Sequence, residues 1–332
     1  MGKRIAAKIT GVAGYLPPRI VTNFDLEKMV DTNDEWIRTR TGIRQRHYAE
    51  PGVAASHLGT EAAKKLLAMK GLRPEEIEMI VVATVTPDML FPATACLIQD
   101  RLGAPKAWGF DLSAACSGFI YAVTVGAQFV GAGSHKKVLV IGTDVMTSIL
   151  DFKDRATCVL FGDGAGAVLL EPAASDAEGI IDFAHDVDGS GACSLFMPAG
   201  GSLHPASQET IDKRMHYVHQ AGQQVFKYAV RRMSDIAIQM LERNGLSGSD
   251  LALVVPHQAN LRIIRGMQER LGVDDSRMLV NIDRYGNTTD ATIPLALMDA
   301  LAEKRLRRGD LILLIAVGAG YTTGAVLMRW AY

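Results

Sequence analysis

Cysteine is scarce in this chain, and net charge is almost absent. The four cysteines among 332 residues, Cys96, Cys116, Cys158 and Cys193, stand far apart. They form no CxxC pair and no His/Cys spacing of the zinc-binding kind. A disulfide framework is excluded at that density, which predicts a reducing, cytoplasmic setting. A net charge of −1 excludes a general nucleic-acid or polyanion binder. Membrane-length hydrophobic runs are missing too. The apolar stretch 120–130 is shorter than the ~20 residues of a bilayer span, and Thr124, Gly126 and Gln128 interrupt it. The opening Met1-Gly2-Lys3-Arg4-Ile5 lacks an apolar run of the secretory kind. A soluble protein without membrane attachment is expected, long enough for one large or two medium domains.

What is present is a chain written twice. Residues 75–84 run from an acidic start into Ile80-Val81-Val82-Ala83, and residues 249–257 run likewise into Leu253-Val254-Val255-Pro256. Trp108-Gly109-Phe110-Asp111-Leu112 and Leu279-Val280-Asn281-Ile282-Asp283 then read as short strands, each leading into a small-residue turn and a helix. Lys137-Val138-Leu139-Val140-Ile141-Gly142 matches Asp310-Leu311-Ile312-Leu313-Leu314-Ile315. Each half closes on a Gly-rich turn and strand, Gly166-Ala167-Val168-Leu169-Leu170 against Gly324-Ala325-Val326-Leu327-Met328. Only the first half carries an extra segment, 144–161, before that last strand. Continuous Val/Ile/Leu strands alternating with helices predict mostly parallel sheets covered on both faces. Two such halves, 1–172 and 173–332, would pack as a five-layer α/β/α/β/α sandwich about a pseudo-twofold axis. Segments outside the repeat (22–51, Phe91, 144–156 and 184–220) would cap one end, where substrate contacts gather.

Cys116 sits in Phe110-Asp111-Leu112-Ser113-Ala114-Ala115-Cys116-Ser117-Gly118-Phe119, ahead of a helix apolar all round. Such a helix is buried on every side. A cysteine at its N-terminus faces free N–H groups and the positive end of the macrodipole, which favour the thiolate. The competing reading is a small core cysteine that only packs. His257 follows the strand ending at Pro256, where α/β sheets gather their sites; alternatively it caps the next helix. Asn287, in Asp283-Arg284-Tyr285-Gly286-Asn287-Thr288-Thr289-Asp290, lies in the counterpart of the Cys116 turn, or simply serves a turn that tolerates Gly and Asn. The duplication brings the three together at the sheet ends. One sulfur nucleophile with two neutral hydrogen-bond donors suits thioester chemistry with carbanion formation better than peptide hydrolysis.

Two glycine-rich segments, Phe161-Gly162-Asp163-Gly164-Ala165-Gly166 and Val317-Gly318-Ala319-Gly320-Tyr321, invite a nucleotide-binding reading. Neither has the P-loop Lys-Ser/Thr, and each precedes a strand instead of opening a helix, so that reading fails. The second loop could instead present N–H groups to an oxyanion near Cys116.

With Cys116 in Ser-Ala-Ala-Cys-Ser-Gly-Phe, His257 in His-Gln-Ala-Asn-Leu-Arg-Ile and Asn287 in Tyr-Gly-Asn-Thr-Thr, the chain resembles the β-ketoacyl-ACP synthase III family. These are the initiating condensing enzymes of type II bacterial fatty-acid synthesis. The likeness runs from about residue 9 to 330 and takes in Asn33-Asp34-Glu35-Trp36-Ile37-Arg38-Thr39-Arg40-Thr41-Gly42-Ile43. It implies a thiolase-like double fold and an acyltransferase of the EC 2.3.1 class that uses acyl-CoA and malonyl-ACP without a cofactor. Cys116 would carry the acyl group. His257 and Asn287 would hydrogen-bond the malonyl thioester carbonyl, and the N–H groups of Cys116, Gly318, Ala319 and Gly320 would hold the second oxyanion. Trp36, Arg40 and Arg155 would bind CoA, two of them sandwiching its adenine. Gln258, Ala259, Asn260, Leu261 and Arg262 would meet the acyl carrier protein, whose acidic surface a helix bearing Arg262, Arg265 and Arg270 would steer. Phe91 would reach across a homodimer into the partner's acyl pocket. Ala156, Ala319 and Thr323 depart from common family residues, and segment 201–217 looks extended, which together with Val317 leaves the primer open.

Three alternatives follow from the same residues: a condensing enzyme or acyltransferase of secondary metabolism, an inactive partner subunit, and a thiolase. The retained Cys116, His257 and Asn287 argue against the second. Gly318-Ala319-Gly320 lacks the second cysteine that the third would need.

Overall fold

Valine, isoleucine and leucine runs too short for helices and bounded by turn residues become the central strands. The structure, a computed structural model, describes residues 7–175 and 178–332. In chain order the first half lays down β1 (Ala7–Tyr15), β2 (Arg19–Thr22), α1 (Asn23–Leu26), α2 (Asp34–Thr41), β3 (Gln45–Tyr48) and α3 (Ala55–Lys70). It continues with β4 (Met79–Ala83), α4 (Thr94–Leu102), β5 (Trp108–Leu112), α5 (Gly118–Gly131), β6 (Val138–Asp144) and β7 (Gly164–Pro172). The second half has β8 (Gly179–Val187), β9 (Leu195–Phe196), α6 (Gln208–Asp212), β10 (His219–Gln220), α7 (Gly222–Arg243) and β11 (Leu253–Pro256). It ends with α8 (Leu261–Leu271), α9 (Ile282–Tyr285), α10 (Thr292–Ala302), β12 (Leu311–Gly318) and β13 (Thr322–Arg329).

The duplication is plain in the sheets. One has the order β1-β7-β6-β4-β5, the other β8-β13-β12-β11 when read from the corresponding edge. The strand directions also match: β1 and β6 flank β7 antiparallel, as β8 and β12 flank β13, while β4–β6 and β11–β12 are parallel. Both sheets are therefore mixed, not mostly parallel as expected. The last strand of each half turns back beside its predecessor and has no helical crossover to keep it parallel. Leu279 to Asp283, expected as a strand, is not one. Met278 makes an isolated bridge to Val254, Leu279 N–H donates to the Val254 carbonyl, and α9 begins at Ile282. The 184–220 segment begins inside β8, which runs to Val187.

The layers follow from which faces are apolar. Helices α5 and α10 lie between the sheets: Phe119, Val123, Ile293 and Leu297 share one core with Val81 and Val140 of the first sheet and Val255 and Leu314 of the second. Helices α3 and α4 cover the outside of the first sheet, α7 and α8 the outside of the second. This is the five-layer sandwich. Each fully buried Val, Leu, Ile or Phe contributes about 1.5–3 kcal/mol, so the α5–α10 layer is the main hydrophobic anchor of the turns that precede it. Among the described residues β5, at the end of its sheet, pairs with β4 alone, and Trp108 on it is 47% exposed.

Candidate active site

Cys116 is set by backbone geometry. After β5 the chain passes Ala114 and enters the left-handed region at Ala115, φ +47°. A short 3-10 turn over Ala115–Ser117 then feeds α5. A non-glycine residue there costs about 1–3 kcal/mol, so packing must hold it. Thr322 supplies the hold: its hydroxyl donates to the Ala114 carbonyl at 2.7 Å, and Ser117 Oγ donates to the Thr322 carbonyl at 3.1 Å. Gly318, at the end of β12, completes the clamp, since a Cβ there would lie 2.7 Å from the Cys116 nitrogen. Only glycine permits that approach.

The expected thiolate is not the resting form. Burial pushes the Cys116 thiol above its ordinary range, and the negative charge of the buried Asp290–Asp144 pair pushes the same way. The helix-terminus effect loses because its donors are taken. Ser117 N–H donates to the Ala114 carbonyl, Gly118 N–H to the Ala115 carbonyl, and Phe119 N–H to Asp290 Oδ1 at 2.9 Å. Burial therefore favours the neutral thiol of Cys116 at rest.

His257 stands one residue past β11 and is 1% exposed, its N–H bonded to the Ile315 carbonyl on β12 at 2.7 Å. Burial pushes its pKa down to about 3, so the ring is neutral. Nδ1 lies 2.7 Å from Thr292 Oγ1, which lies 2.9 Å from the Thr289 carbonyl. The Thr292 hydroxyl has one proton for these two acceptors. If it turns to the carbonyl, Nδ1 carries the ring proton; if it turns to Nδ1, Nε2–H becomes a donor. Asn287 is buried, and its Oδ1 accepts Thr289 N–H at 2.9 Å. That bond fixes the amide's orientation and leaves the Nδ2 donors without a partner among the described residues. The backbone locks the residue: Asn287 N–H donates to the Leu160 carbonyl, and Gly162 N–H to the Asn287 carbonyl. Thr289 and Thr292 thus tie His257 to Asn287 directly. Contacts of the 289–291 turn with the 115–117 turn, and of the latter with β12, bring Cys116 to the same end of the sheets.

Cys116 opens into a cavity of about 460 Å³. Its walls include Val85, Met146, Ile149, Phe161, Leu195 and Val218, and Ala319, Gly320 and Thr289 line it too. His257 and Asn287 do not line it, whereas Phe161, whose backbone bridges Asn287, does. No backbone acceptor engages the N–H of Cys116 or Ala319 among the described residues. Val317 is not among the lining residues. The wall expected from 201–217 comes from its flanks, Ala192, Leu195, Phe196, Met197 and Val218.

Trp36, Arg40 and Arg155 converge as expected. The Arg40 and Arg155 guanidinium carbons lie 4.9 and 5.5 Å from the Trp36 ring centroid, and Arg155 also bonds the Asp31 carbonyl at 2.9 Å. Among the expected carrier contacts, Gln258 is corrected. It is 1% exposed, its amide N–H groups donate to the Pro256 and Leu279 carbonyls, and its oxygen accepts Asn281 N–H. It braces the His257 loop and presents nothing to a partner. Ala259 is half-buried, Asn260 caps α8 by accepting Arg262 N–H, and Leu261 packs on Gly42. Arg262 is exposed, 5.5 Å over the Phe226 ring. Phe91 lies outside its own chain's cavity, on the surface.

Three residues escaped the sequence reading: Asp144, Asp290 and Thr292. A signal existed for the last two. Setting Ser113-Ala114-Ala115-Cys116-Ser117-Gly118-Phe119 against Asn287-Thr288-Thr289-Asp290-Ala291-Thr292-Ile293, without gaps, puts Asp290 opposite Cys116. Thr289, φ +52°, then falls opposite Ala115, and both stretches are 3-10 turns that open a middle-layer helix.

Residues 110–189 match the family described as 3-Oxoacyl-[acyl-carrier-protein (ACP)] synthase III, and residues 241–330 match its C-terminal counterpart. A β-ketoacyl-[acyl-carrier-protein] synthase III of Solibacter usitatus is 59% identical over 328 residues, covering 98% of this chain and 99% of that one. Among solved structures, 3-oxoacyl-[acyl-carrier-protein] synthase III of Aquifex aeolicus superposes with a TM-score of 0.89 at 44% identity, covering 98% of this chain and all of the other. The priming β-ketosynthase of the R1128 polyketide pathway does so with a TM-score of 0.91 at 36% identity, covering all of this chain and 98% of that one.

Proposed function

The chain belongs to the 3-oxoacyl-[acyl-carrier-protein] synthase III family, and on that premise we propose how its residues carry out the family's chemistry. It is an acyltransferase that condenses a short acyl-CoA with malonyl-ACP, giving 3-oxoacyl-ACP, CoA and CO₂, the initiating step of fatty-acid synthesis. The observation that carries the assignment of roles is the Asn287–Thr289–Thr292–His257 hydrogen-bond chain, packed on the turn that holds Cys116.

In the first half-reaction the Cys116 sulfur attacks the acyl carbonyl, the bond to the CoA sulfur breaks, and the thiol proton leaves with CoA. The N–H groups of Cys116, Ala319 and Gly320, in the loop that Gly318 opens, are the donors for the tetrahedral oxyanion, preorganised at low dielectric. In the second, malonyl-ACP enters and its carbon–carboxylate bond breaks, leaving the electron pair as an enolate. Asn287 Nδ2 and His257 Nε2–H stabilise that oxygen; for this the Thr292 proton turns to Nδ1. The carbanion then forms the carbon–carbon bond at the acyl carbonyl, the electron pair of the carbon–sulfur bond returns to Cys116, and the sulfur takes one proton from solvent to regain the resting thiol. Hydrogen bonds supply the stabilisation throughout, so the reaction needs no resident cofactor.

The adenine of CoA would enter between Trp36 and Arg155, with Arg155 leaving Asp31 to stack on it. Arg40 would meet a CoA phosphate. Arg262, with Ala259, Asn260 and Leu261 at the start of α8, is the docking end for the acidic carrier protein. A second copy would pair along β5, at the end of its sheet, so that exposed Phe91 reaches the partner's cavity; the exposed Leu90 beside it supports the same face. We draw the boundary between halves at residue 172, where β7 ends. No helix among the described residues is long and apolar enough to cross a membrane, and the cytoplasm is the compartment where CoA and carrier protein meet.

Likeness to a polyketide priming synthase favours one second reading, the same condensation serving secondary metabolism. A single experiment addresses both. The protein is mixed with straight and branched acyl-CoAs, then with malonyl-ACP, and followed by intact-mass spectrometry. Acylation mapped to Cys116 and discharged only by malonyl-ACP supports the condensing role, and the accepted primer tells the pathway. Acylation without discharge overturns the condensing role in favour of acyl transfer to a nucleophile other than malonyl-ACP.

A further inference from the structure

Asp290 and Asp144 are both buried, at 1% and 0% exposure, and no ion pair among the described residues reaches either. Their environments differ. Asp144 Oδ1 accepts from Thr84 Oγ1 at 3.1 Å, Val85 N–H at 2.8 Å, Thr86 N–H at 3.2 Å and Thr86 Oγ1 at 2.9 Å. Its Oδ2 accepts Asp290 N–H at 3.1 Å. Five donors around one carboxylate stabilise its charge. Among the described residues Asp290 Oδ1 accepts one N–H, that of Phe119 at the start of α5, while Oδ2 is sealed from water with no donor. The bond from Asp290 N–H to Asp144 Oδ2 sets the two residues side by side in the dry interior. Two facing carboxylates in a dry site cannot both ionise; one keeps a proton and donates it to the other. The donor count decides which.

We propose that Asp290 is a positioning residue for Cys116: held as the neutral acid by a hydrogen bond to Asp144, it caps the nucleophile's helix without adding a second negative charge beside the sulfur. The titratable groups facing it are Asp144 from the end of β6 and Cys116 across the pseudo-twofold axis; from the β4 end come only the hydroxyls of Thr84 and Thr86. Burial and the Asp144 charge both raise the Asp290 pKa, in agreement with the geometry. Gly118 makes the cap possible, because a Cβ there would lie 2.6 Å from Asp290 Oδ1. The cap ties the Asn287 turn to the helix that carries Cys116, so it sets the spacing of the two half-sites. It also consumes the Phe119 N–H, a donor that would otherwise favour a free thiolate, keeping the sulfur protonated until a thioester arrives.

The inference rests on Cys116 as nucleophile, and the test separates the two. Iodoacetamide alkylation, mapped by mass to Cys116, reports the thiol in the full-length protein and in its Asp290→Asn and Asp144→Asn variants as pH is raised. Infrared difference spectra of the wild type against Asp290→Asn report the acid. A protonated carboxyl band is expected at pH 7.5 in the wild type and absent from Asp290→Asn. The alkylation midpoint of Asp290→Asn should stay within about 0.3 unit of the wild type, since no charge is removed, whereas Asp144→Asn should lower it by roughly one unit or more. Absence of the acid band, or a midpoint lowered in Asp290→Asn as far as the loss of a charge implies, overturns the proposal. If Asp144→Asn does not fold, the band and the Asp290→Asn midpoint still decide. Alkylation that maps elsewhere would sink the nucleophile assignment while leaving the acid band to be judged by itself.

Discussion

The turns at Cys116 and Asp290 are two copies of one backbone put to opposite uses. The first follows β5 and the second α9; each then passes a left-handed residue (Ala115, Thr289), forms one 3-10 turn and opens an apolar helix of the middle layer. Each also docks on the other half's sheet at a glycine. A Cβ on Gly318 of β12 would lie 2.7 Å from the Cys116 nitrogen, and one on Gly142 of β6 would lie 2.2 Å from the Asp290 oxygen. The difference is what the side chain meets. Cys116 faces a cavity, whereas Asp290 faces a helix terminus and a second carboxylate. Duplication therefore provides the scaffold twice, and one residue per copy decides whether it reacts or holds. A structural copy lets the active copy keep a strained turn, because the two brace each other.

The comparison breaks most completely at the sulfur. Cys116→Ser should lose acyl-enzyme formation by more than about 10³-fold, from the loss of the nucleophile, with an unchanged melting temperature. Intact mass after incubation with acetyl-CoA checks it, and acylation surviving at another residue would remove Cys116 from its role. Asn287→Ala comes next. It should slow malonyl-ACP decarboxylation by about 10²–10³-fold, the usual worth of one oxyanion donor, while Cys116 still acylates within about twofold. Equal loss in both half-reactions would mean that Asn287 only supports the Cys116 turn.

Much of this was legible before any coordinates, and the failures have physical causes. The strands of the repeat carry continuous Val/Ile/Leu and were read correctly at β4, β6, β11 and β12. Direction was not, because nothing in Gly166-Ala167-Val168-Leu169-Leu170 says that it returns beside β6. Leu279-Val280-Asn281-Ile282-Asp283 has strand composition, yet the chain there must turn into the Asn287 site and forms α9 instead. Cys116, His257 and Asn287 were visible because each chemistry-bearing residue follows a strand. Asp290 was not: an aspartate after two threonines looks like a solvated turn residue, and only its pairing with Asp144, 146 residues away, makes it a buried acid. The same long-range blindness produced the thiolate expectation, since the sequence shows the helix terminus but not the carboxyl that occupies it.

Thr292 sharpens the comparison at the helix start, where its counterpart is Gly118. Thr292→Val removes the hydroxyl that can direct the His257 proton to Nε2. Condensation should fall about 10-fold, less than the ~10²–10⁴-fold of a group that transfers the proton itself, with acylation nearly intact and Thr292→Ser restoring most of the loss. Failure of serine to rescue would show that the methyl packing mattered and the hydroxyl did not. A smaller effect is expected at the docking glycines. Gly142→Ala should destabilise the fold by about 1–3 kcal/mol through overpacking, with acylation per folded molecule maintained. Gly318→Ala should destabilise similarly but also slow acylation, because its clash displaces the Cys116 N–H. Matching losses of acylation in the two variants would erase the functional asymmetry between the turns.

The last contrast is in pH, and its expected effect on rate is none at all. Burial holds His257 near a pKa of about 3, so decarboxylation of malonyl-ACP should show no inflection near 6.5, where an exposed histidine titrates. An inflection there would mean a charged ring and a different role. Stability does respond, with opposite signs at the two sites. For His257 the unfolded chain binds a proton below about 6.5 while the folded chain does not until about 3, so stability falls as pH drops through that window. For Asp144 burial raises the folded pKa to about 6 from 3.8. Its contribution is full below 3.8 and lost as pH rises through 6, so it opposes the histidine slope where the windows overlap. Removing the histidine isolates the carboxylate. Across pH 4 to 6 a His257→Gln variant should lose less melting temperature on acidification than the wild type, and an Asp144→Asn variant should lose more. Parallel melting curves in all three proteins would mean that neither buried group changes its proton occupancy on folding.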